Sequence, residues 1–189
     1  MKKETVYKIF SDIPKITTKR LTLRAMRELD AEDMFEYATL PEVTKFLLWR
    51  EHPSLAYTKE YLAYIESRYS VGDFYDWAIT LSDSGKMIGT CGFTKIDTVN
   101  DVGEIGYVLN PAYHHMGLAK EAASAVIRFG FDTLGLHRIE AKFIEGNDAS
   151  RKLMESLGMT AEGFEREAML VKGKYVTIGK YSKLATDKQ

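Results

Sequence analysis

The stretch from Glu104 to Glu121 constrains the fold most, because a strand pattern passes through a short loop directly into a helix. Residues 102–109 alternate between two faces as a strand does, and an amphipathic helix begins at Leu118. The first turn of such a helix presents unpaired backbone N–H groups and about half a positive charge. Gly117 would let a phosphate approach this helix end closely, since it carries no Cβ. The junction therefore predicts an anion-binding loop.

Elsewhere, from Ile16 to Leu184, helical and strand patterns alternate with short turns between them. They predict an α+β fold, a single domain over residues 1–189 whose mostly antiparallel mixed sheet of about seven strands is flanked by helices. Segments 1–12 and 185–189 are expected to be loose. The predicted strands are 21–24, 77–81, 86–96, 102–109, 138–144, 159–171 and 174–184, and the predicted helices are 28–38, 57–70, 118–129 and 148–157, with a short one at Pro41.

Charge and composition exclude several classes of partner. The 189 residues include 26 Lys and Arg against 27 Asp and Glu, a net charge of −1, and there is no basic run. Nucleic-acid binding and a polybasic membrane anchor therefore have no electrostatic support. The single cysteine, Cys91, excludes an internal disulfide framework, and no apolar run resembles a secretory leader or a membrane span. We expect a cytoplasmic protein with neither a nucleic-acid nor a membrane partner.

The predicted anion loop is not one of the common nucleotide-binding motifs. A P-loop at Gly85-Lys86 would need a glycine five residues before Gly85, where Thr80 stands. The loop before Leu118 has one glycine, whereas a dinucleotide fingerprint has three. No Gly-x-Ser-x-Gly nucleophile elbow surrounds any serine. The loop must therefore be interpreted from its neighbouring segments.

Four segments follow one another in a familiar order: Thr17–Arg24, Lys86–Phe93, His114–Ala119 and Asn147–Met159. Together they resemble the GNAT superfamily of acetyl-CoA-dependent N-acetyltransferases, in particular its RimJ/RimL-like branch, which acetylates ribosomal-protein N-termini. The first two segments are similar to that branch's opening and third strands. The third is similar to its pyrophosphate loop, and the fourth to its second cofactor motif.

The resemblance implies acetyl-CoA as cosubstrate and assigns the residues that would hold it. Backbone N–H groups of Val108 and Leu109 would polarise the thioester carbonyl and pair with the pantetheine arm. Asn147 would contact the pantetheine or the acceptor, or else serve only as a helix N-cap. The loop itself departs from the usual pattern at its first three positions, so cofactor affinity is expected to depend on backbone amides. The pyrophosphate loop comprises His114, His115, Met116, Gly117, Leu118, Ala119 and Lys120.

Two side chains are candidates for catalysis. Glu104 lies in the middle of the strand that leads to the loop, and the resemblance implies that it is the general base, acting directly or through a water. The alternative is a solvated carboxylate or a salt bridge to a neighbouring strand. Ser150 would donate a hydrogen bond to the departing sulfur, since Met154 stands where many GNAT enzymes have a tyrosine. A serine that caps its own helix is the competing interpretation.

Other interpretations are weaker or stay open. The pair His114-His115 has no third ligand at a recognisable spacing, so no metal is expected. Cys91 is expected to be a small core residue rather than a nucleophile. A protein N-terminal amine is the favoured acceptor, because its pKa of about 8 makes it easier to deprotonate than lysine. A polyamine, amino sugar or antibiotic as acceptor remains an alternative, as does a noncatalytic acyl-CoA-binding module, and the protein is either a monomer or a homodimer.

Overall fold

Eight strands form one sheet at the centre of the computed structural model, which describes residues 3–187. All neighbouring strands are antiparallel except the fifth and sixth, which are parallel. This confirms the predicted α+β fold, and the strand added to the predicted seven is the two-residue β1, too short to show alternation in the sequence. The strands are β1 (Ile16–Thr17), β2 (Leu21–Arg24), β3 (Tyr75–Leu81), β4 (Met87–Asp97), β5 (Val102–Leu109), β6 (Arg138–Ile144), β7 (Thr160–Val171) and β8 (Lys174–Leu184), in the spatial order β1-β2-β3-β4-β5-β6-β8-β7.

Six α-helices and two short 3-10 turns complete the described chain. Within residues 3–187 no helix is both long and apolar enough to cross a membrane. The 3-10 turns are Glu28–Asp30 and Pro111–Tyr113, and the helices are α1 (Lys3–Phe10), α2 (Ala31–Ala38), α3 (Pro41–Thr44), α4 (Leu55–Val71), α5 (Leu118–Asp132) and α6 (Asp148–Ser156).

The prediction that segment 1–12 is loose is wrong for its larger part. Residues of α1 pack into the core, where Val6 and Phe10 are buried. The Phe10 ring meets the edge of Trp77 at 5.4 Å between ring centroids, so α1 closes one end of the core. At the other end of the chain Ala185 donates its N–H to His137. Residues 1–2 and 188–189, also expected to be loose, lie outside the described residues.

Cross-strand pairing decides which side chains share a face of the sheet. Directly opposite residues of an antiparallel pair point to the same side. Trp77 lies opposite Cys91, and Cys91 lies opposite Tyr107. Helix α5 covers this face, since its Phe129 ring contacts Trp77 at 5.3 Å. Glu104, three residues before Tyr107 on the same strand, therefore points to the opposite face.

Candidate active site

A wedge-shaped gap opens between the two parallel strands. Pairing of β5 with β6 runs from Val102↔Arg138 to Ile105↔Ala141 and, in the described chain, goes no further. Both strands nevertheless continue, paired on their outer sides, to Leu109 in β5 and Ile144 in β6. Residues 106–109 thus present a free strand edge, which can pair with an extended ligand as another strand would.

Of the two backbone amides predicted to line this gap, only one faces it. The Asn110 N–H donates to the Ile88 carbonyl at 2.8 Å, which makes that pair the hydrogen-bonded position of the β4–β5 ladder. Hydrogen-bonded and open positions alternate along an antiparallel ladder, so Val108 also directs its backbone groups to β4. Leu109 directs its N–H and C=O into the gap, where the carbonyl hydrogen-bonds His114 Nε2 at 3.0 Å. The prediction for the Val108 amide is therefore wrong.

The loop that closes the gap presents a run of free amides. The backbone N–H groups of residues 115–120 have no acceptor within the described part of the chain. His115 and Gly117 adopt left-handed backbone conformations with φ of 61° and 75°. Such alternation turns successive N–H groups toward one point and forms a concave anion site. Added to the dipole of the 15-residue helix α5, this geometry suits a pyrophosphate at the predicted position.

An arginine from the N-terminal part of the chain holds this loop in place. Arg20, in the turn between β1 and β2, donates from Nη1 to the Met116 carbonyl at 2.9 Å and from Nε to Glu121 at 2.7 Å. Thr18 donates its hydroxyl to the same carboxylate at 2.6 Å. Burial alone would raise the pKa of Glu121, but these hydrogen bonds lower it below its ordinary value. Arg20 was missed by sequence reasoning, although it lies in the segment similar to the family's opening strand.

Glu104 sits where the two strands begin to separate, one residue before the last β5–β6 pair. Its Oε2 accepts from Lys142 Nζ at 2.5 Å, and its Oε1 accepts from the Thr94 hydroxyl at 3.0 Å. The ion pair with a neighbouring strand, weighed as the alternative to catalysis, is therefore present. The position at the apex of the gap is also the one that a base would need, so Glu104 remains a candidate.

Ser150 approaches the gap from the face opposite Glu104. Its backbone N–H donates to Asn147 Oδ1 at 3.2 Å, so Asn147 is the N-cap of α6. The Ser150 hydroxyl does not cap the helix; it lies 2.9 Å from the hydroxyl of Tyr107. Burial raises the pKa of Tyr107 to about 12, against a smaller opposing effect of the Ser150 hydrogen bond. Tyr107 was also missed, because the alternation of β5 gave no sign of its partner.

The remaining candidates belong to the core or the surface. Met154 is buried, and so is Cys91, whose pKa burial raises well above its ordinary value. The His114 and His115 rings diverge at 88° between planes. Among residues 3–187 no three His, Cys, Asp or Glu side chains are grouped to hold a metal ion.

Comparisons with known proteins agree with this geometry. Residues 20–160 match the model of the acetyltransferase (GNAT) domain family. The uncharacterized N-acetyltransferase p20 of Bacillus licheniformis is 35% identical over 167 residues, which cover 88% of this chain and 94% of that protein. The ribosomal protein uS5-alanine N-acetyltransferase of Escherichia coli is 27% identical over 174 residues, which cover 87% of this chain and 89% of that enzyme.

Solved structures give the same result for the fold. A GNAT-family acetyltransferase from Bacillus anthracis superimposes with a TM-score of 0.82 and 26% identity, and the match covers 92% of this chain and all of that one. The microcin C7 self-immunity acetyltransferase, solved with acetyl-CoA and AMP, superimposes with a TM-score of 0.77 over 88% of this chain and 93% of that one. At 20% identity, this superposition shows a shared fold and nothing further.

Proposed function

The chain belongs to the GNAT acetyltransferase family, whose cosubstrate is acetyl-CoA, and we propose that it transfers the acetyl group directly to a protein N-terminal amine. One observation carries the proposal: the gap between β5 and β6 leads to a loop with six consecutive free amides. An extended chain that ends in a pyrophosphate fits both parts at once. A binding module would need the same features, so the acceptor chemistry rests on further residues.

The cofactor is proposed to lie along the open edge of β5. Its pyrophosphate would accept from the N–H groups of residues 115–120, with the exposed Lys120 beside it. The Leu109 N–H would polarise the thioester carbonyl, and the pantetheine arm would continue along the same open edge. Asn147 and Ser150 would border the arm from the opposite side of the gap.

Transfer would then need one base and one group that stabilises the leaving thiolate. Glu104 would take a proton from the acceptor ammonium through a water, so that the free amine attacks the thioester carbon. The C–N bond forms, the C–S bond breaks and the electron pair leaves on sulfur. A thiol has an unperturbed pKa of about 8.5, so its anion leaves readily near neutral pH and a hydrogen bond from Ser150 is sufficient help.

Two features support a protein N-terminus as the acceptor: the low pKa of an α-amine and the substrate of one relative. An α-amine with a pKa of about 8 gives up its proton to a single modest base more readily than a lysine with a pKa of about 10.4. The Escherichia coli relative acts on the alanine of ribosomal protein uS5, which also favours a protein N-terminus. Such an acceptor would place the reaction in the cytoplasm, where ribosomal proteins are made. Small amines remain the second candidate class.

The test compares acceptors that carry different classes of amine. Four acceptors are incubated separately with acetyl-CoA. The first is a peptide with a free N-terminal alanine and no lysine, and the second is an N-terminally blocked peptide with one lysine. The third is a polyamine, and the fourth is an amino sugar. We expect release of the CoA thiol and acetylation of the first peptide alone. Preference for a small amine would replace the proposed acceptor. Binding of acetyl-CoA without transfer to any amine would leave only a binding module.

A further inference from the structure

We propose that Tyr107 is a positioning residue that orients the Ser150 hydroxyl toward the sulfur of CoA. The inference rests on the proposed function, because it concerns the leaving group of that reaction. It adds a residue that neither the family motifs quoted above nor the predicted catalytic set includes.

The geometry brings both parts of Tyr107 to the gap. Its backbone shares the edge orientation of Leu109, two residues further along the strand, and therefore faces the gap. Its side chain points to the face covered by α5 and reaches Ser150, with the phenol oxygen 2.9 Å from Ser150 Oγ and 3.3 Å from the Ser150 carbonyl. Ser150 is itself fixed through its N–H by Asn147. One side chain thus supports the hydroxyl that borders the gap.

The count of protons explains how this contact helps. A serine hydroxyl has one proton to donate and accepts on its oxygen. The phenol also has one proton, and Ser150 Oγ at 2.9 Å is a nearer acceptor for it than the Ser150 carbonyl at 3.3 Å. When Tyr107 donates to Ser150 Oγ, the Ser150 proton is free for the sulfur. No covalent bond changes in this step, and the negative charge stays on the thiolate until solvent protonates it. Full proton transfer from Tyr107 is disfavoured, since its pKa of about 12 exceeds the thiol's unperturbed value of about 8.5.

The Tyr107–Ser150 contact should change the pKa of the thiol of bound CoA, which can be measured without any turnover. We would titrate the ultraviolet absorbance of the thiolate of CoA bound to the wild-type protein and to Tyr107→Phe. The protein's one cysteine, Cys91, is buried with a raised pKa and therefore adds no competing thiolate signal. Each variant is also titrated without CoA, so that the absorbance of its own tyrosines and peptide bonds is subtracted. Loss of the tyrosine hydroxyl should raise the pKa of the bound thiol by about 0.5–1 unit. This is less than the roughly 1–2 units of a direct hydrogen bond to a charged group, because Tyr107 acts through Ser150.

Controls separate this inference from the proposed function. Tyr64→Phe removes the hydroxyl of an exposed tyrosine of α4 and should leave the bound thiol unchanged. In the Ser150→Ala background, Tyr107→Phe should cause no further shift, because the two residues act through one hydrogen bond. A bound thiol with the same pKa in wild type and Tyr107→Phe would overturn the positioning role. Failure of the wild-type protein to bind CoA would instead overturn the proposed function.

Turnover supplies a second measurement. Tyr107→Phe should lower kcat about tenfold and leave the KM for acetyl-CoA nearly unchanged, because the contact matters once charge develops on sulfur. A rise in KM with unchanged kcat would contradict the inference and indicate a role in binding alone. Phenylalanine keeps the packing of the ring and removes only the hydrogen bond to Ser150. A fall in Tm of about 2–4 °C relative to Tyr64→Phe is therefore expected and is measured first.

Discussion

Arg20 and Glu121 are 101 residues apart in the chain and are joined at 2.7 Å, guanidinium Nε to carboxylate Oε2. The contact ties the turn before β2 to the first turn of α5. Because Arg20 also holds the Met116 carbonyl, it keeps that oxygen away from the free amides of the loop. The pair therefore prepares the anion site before any ligand arrives. The Arg20 side chain is 44% exposed, and its Nη2 lies 3.6 Å from the position that a Cβ on Gly117 would take.

Replacing Arg20 by alanine should weaken acetyl-CoA binding about tenfold, since a charge and a preset loop are lost together. Binding of acetyl-pantetheine, which has no pyrophosphate, should stay as it was. Calorimetric titration measures both affinities. Arg128→Ala, which removes an exposed arginine further along α5, is the matched control and should change neither. Equal losses for both ligands in Arg20→Ala would show a general disturbance of the gap.

Gly117 offers a test of backbone conformation in the same loop. Its φ of 75° disfavours any residue with a Cβ, while the nearest atom to such a Cβ would be Arg20 Nη2 at an ordinary 3.6 Å. Gly117→Ala should therefore cost about 1–2 kcal/mol of strain or move the loop. Gly135→Ala is the control, with φ of 65° and nothing within 4 Å of the added carbon. We expect similar losses of thermal stability, with reduced acetyl-CoA affinity only for Gly117→Ala.

Glu104 can be tested against a carboxylate in the same row of the sheet. Glu104→Gln keeps the shape of the side chain and removes its basicity, so kcat should fall about 10²–10⁴-fold with acetyl-CoA affinity retained. Glu140 lies directly beside Glu104 on β6 and pairs with Arg138, so Glu140→Gln removes a neighbouring charge but leaves the Glu104 carboxylate in place. Steady-state rates that are equal in the two variants would remove Glu104 from the mechanism and leave its ion pair with Lys142 as a structural contact.

Asp76 predicts a pH dependence of stability. Burial raises the pKa of Asp76 to about 7, partly offset by hydrogen bonds from Thr90 and the Trp77 N–H. The folded state therefore holds this proton more tightly than the unfolded state. The contribution of this proton to the free energy of unfolding is fully present below about pH 4 and is lost as the pH rises to about 7. Above that pH the stability no longer depends on this group. Asp76→Asn removes the titration and should gain stability relative to wild type across that window, by up to about 4 kcal/mol.

Chemical denaturation of both proteins at pH 4 and pH 8 measures the Asp76 effect. If the difference in the free energy of unfolding between wild type and Asp76→Asn is the same at pH 4 and pH 8, the pKa of the Asp76 carboxyl is not raised by folding. Asparagine has nearly the same size as aspartate, so the comparison isolates the charge from the packing of the surrounding core.

The strand–loop–helix junction was predictable because its signals are local. Alternation over residues 102–109, one glycine and one amphipathic stripe define it, and all lie within 30 residues. Helix α1 was not predictable, because only Val6 and Phe10 of its eight residues are buried, and two apolar positions do not define a helical periodicity. The error at Val108 has a different cause. Alternation tells which face a side chain takes, but the edge that a backbone amide faces depends on the register with β4.

Long-range contacts account for what was missed in the site. The Arg20–Glu121 and Tyr107–Ser150 pairs join residues 101 and 43 positions apart. Periodicity and spacing carry no information about such pairs, since each partner has an ordinary local interpretation as a surface charge or a strand aromatic. The ion pair of Glu104 differs, because a salt bridge to a neighbouring strand was predicted as an alternative. Only the identity of its partner, Lys142, required the topology of the parallel strands.

Whether the loop at the start of α5 binds a pyrophosphate can be measured by calorimetric titration of the wild-type protein with acetyl-CoA and, separately, with acetyl-pantetheine. The two ligands share the thioester and the arm that the gap would hold, and only acetyl-CoA carries the pyrophosphate. If the free amides of residues 115–120 hold that group, acetyl-CoA should bind with micromolar affinity and acetyl-pantetheine at least about 100-fold more weakly. Equal affinity for both ligands, or no binding of acetyl-CoA, would show that this loop does not bind the pyrophosphate of the cofactor.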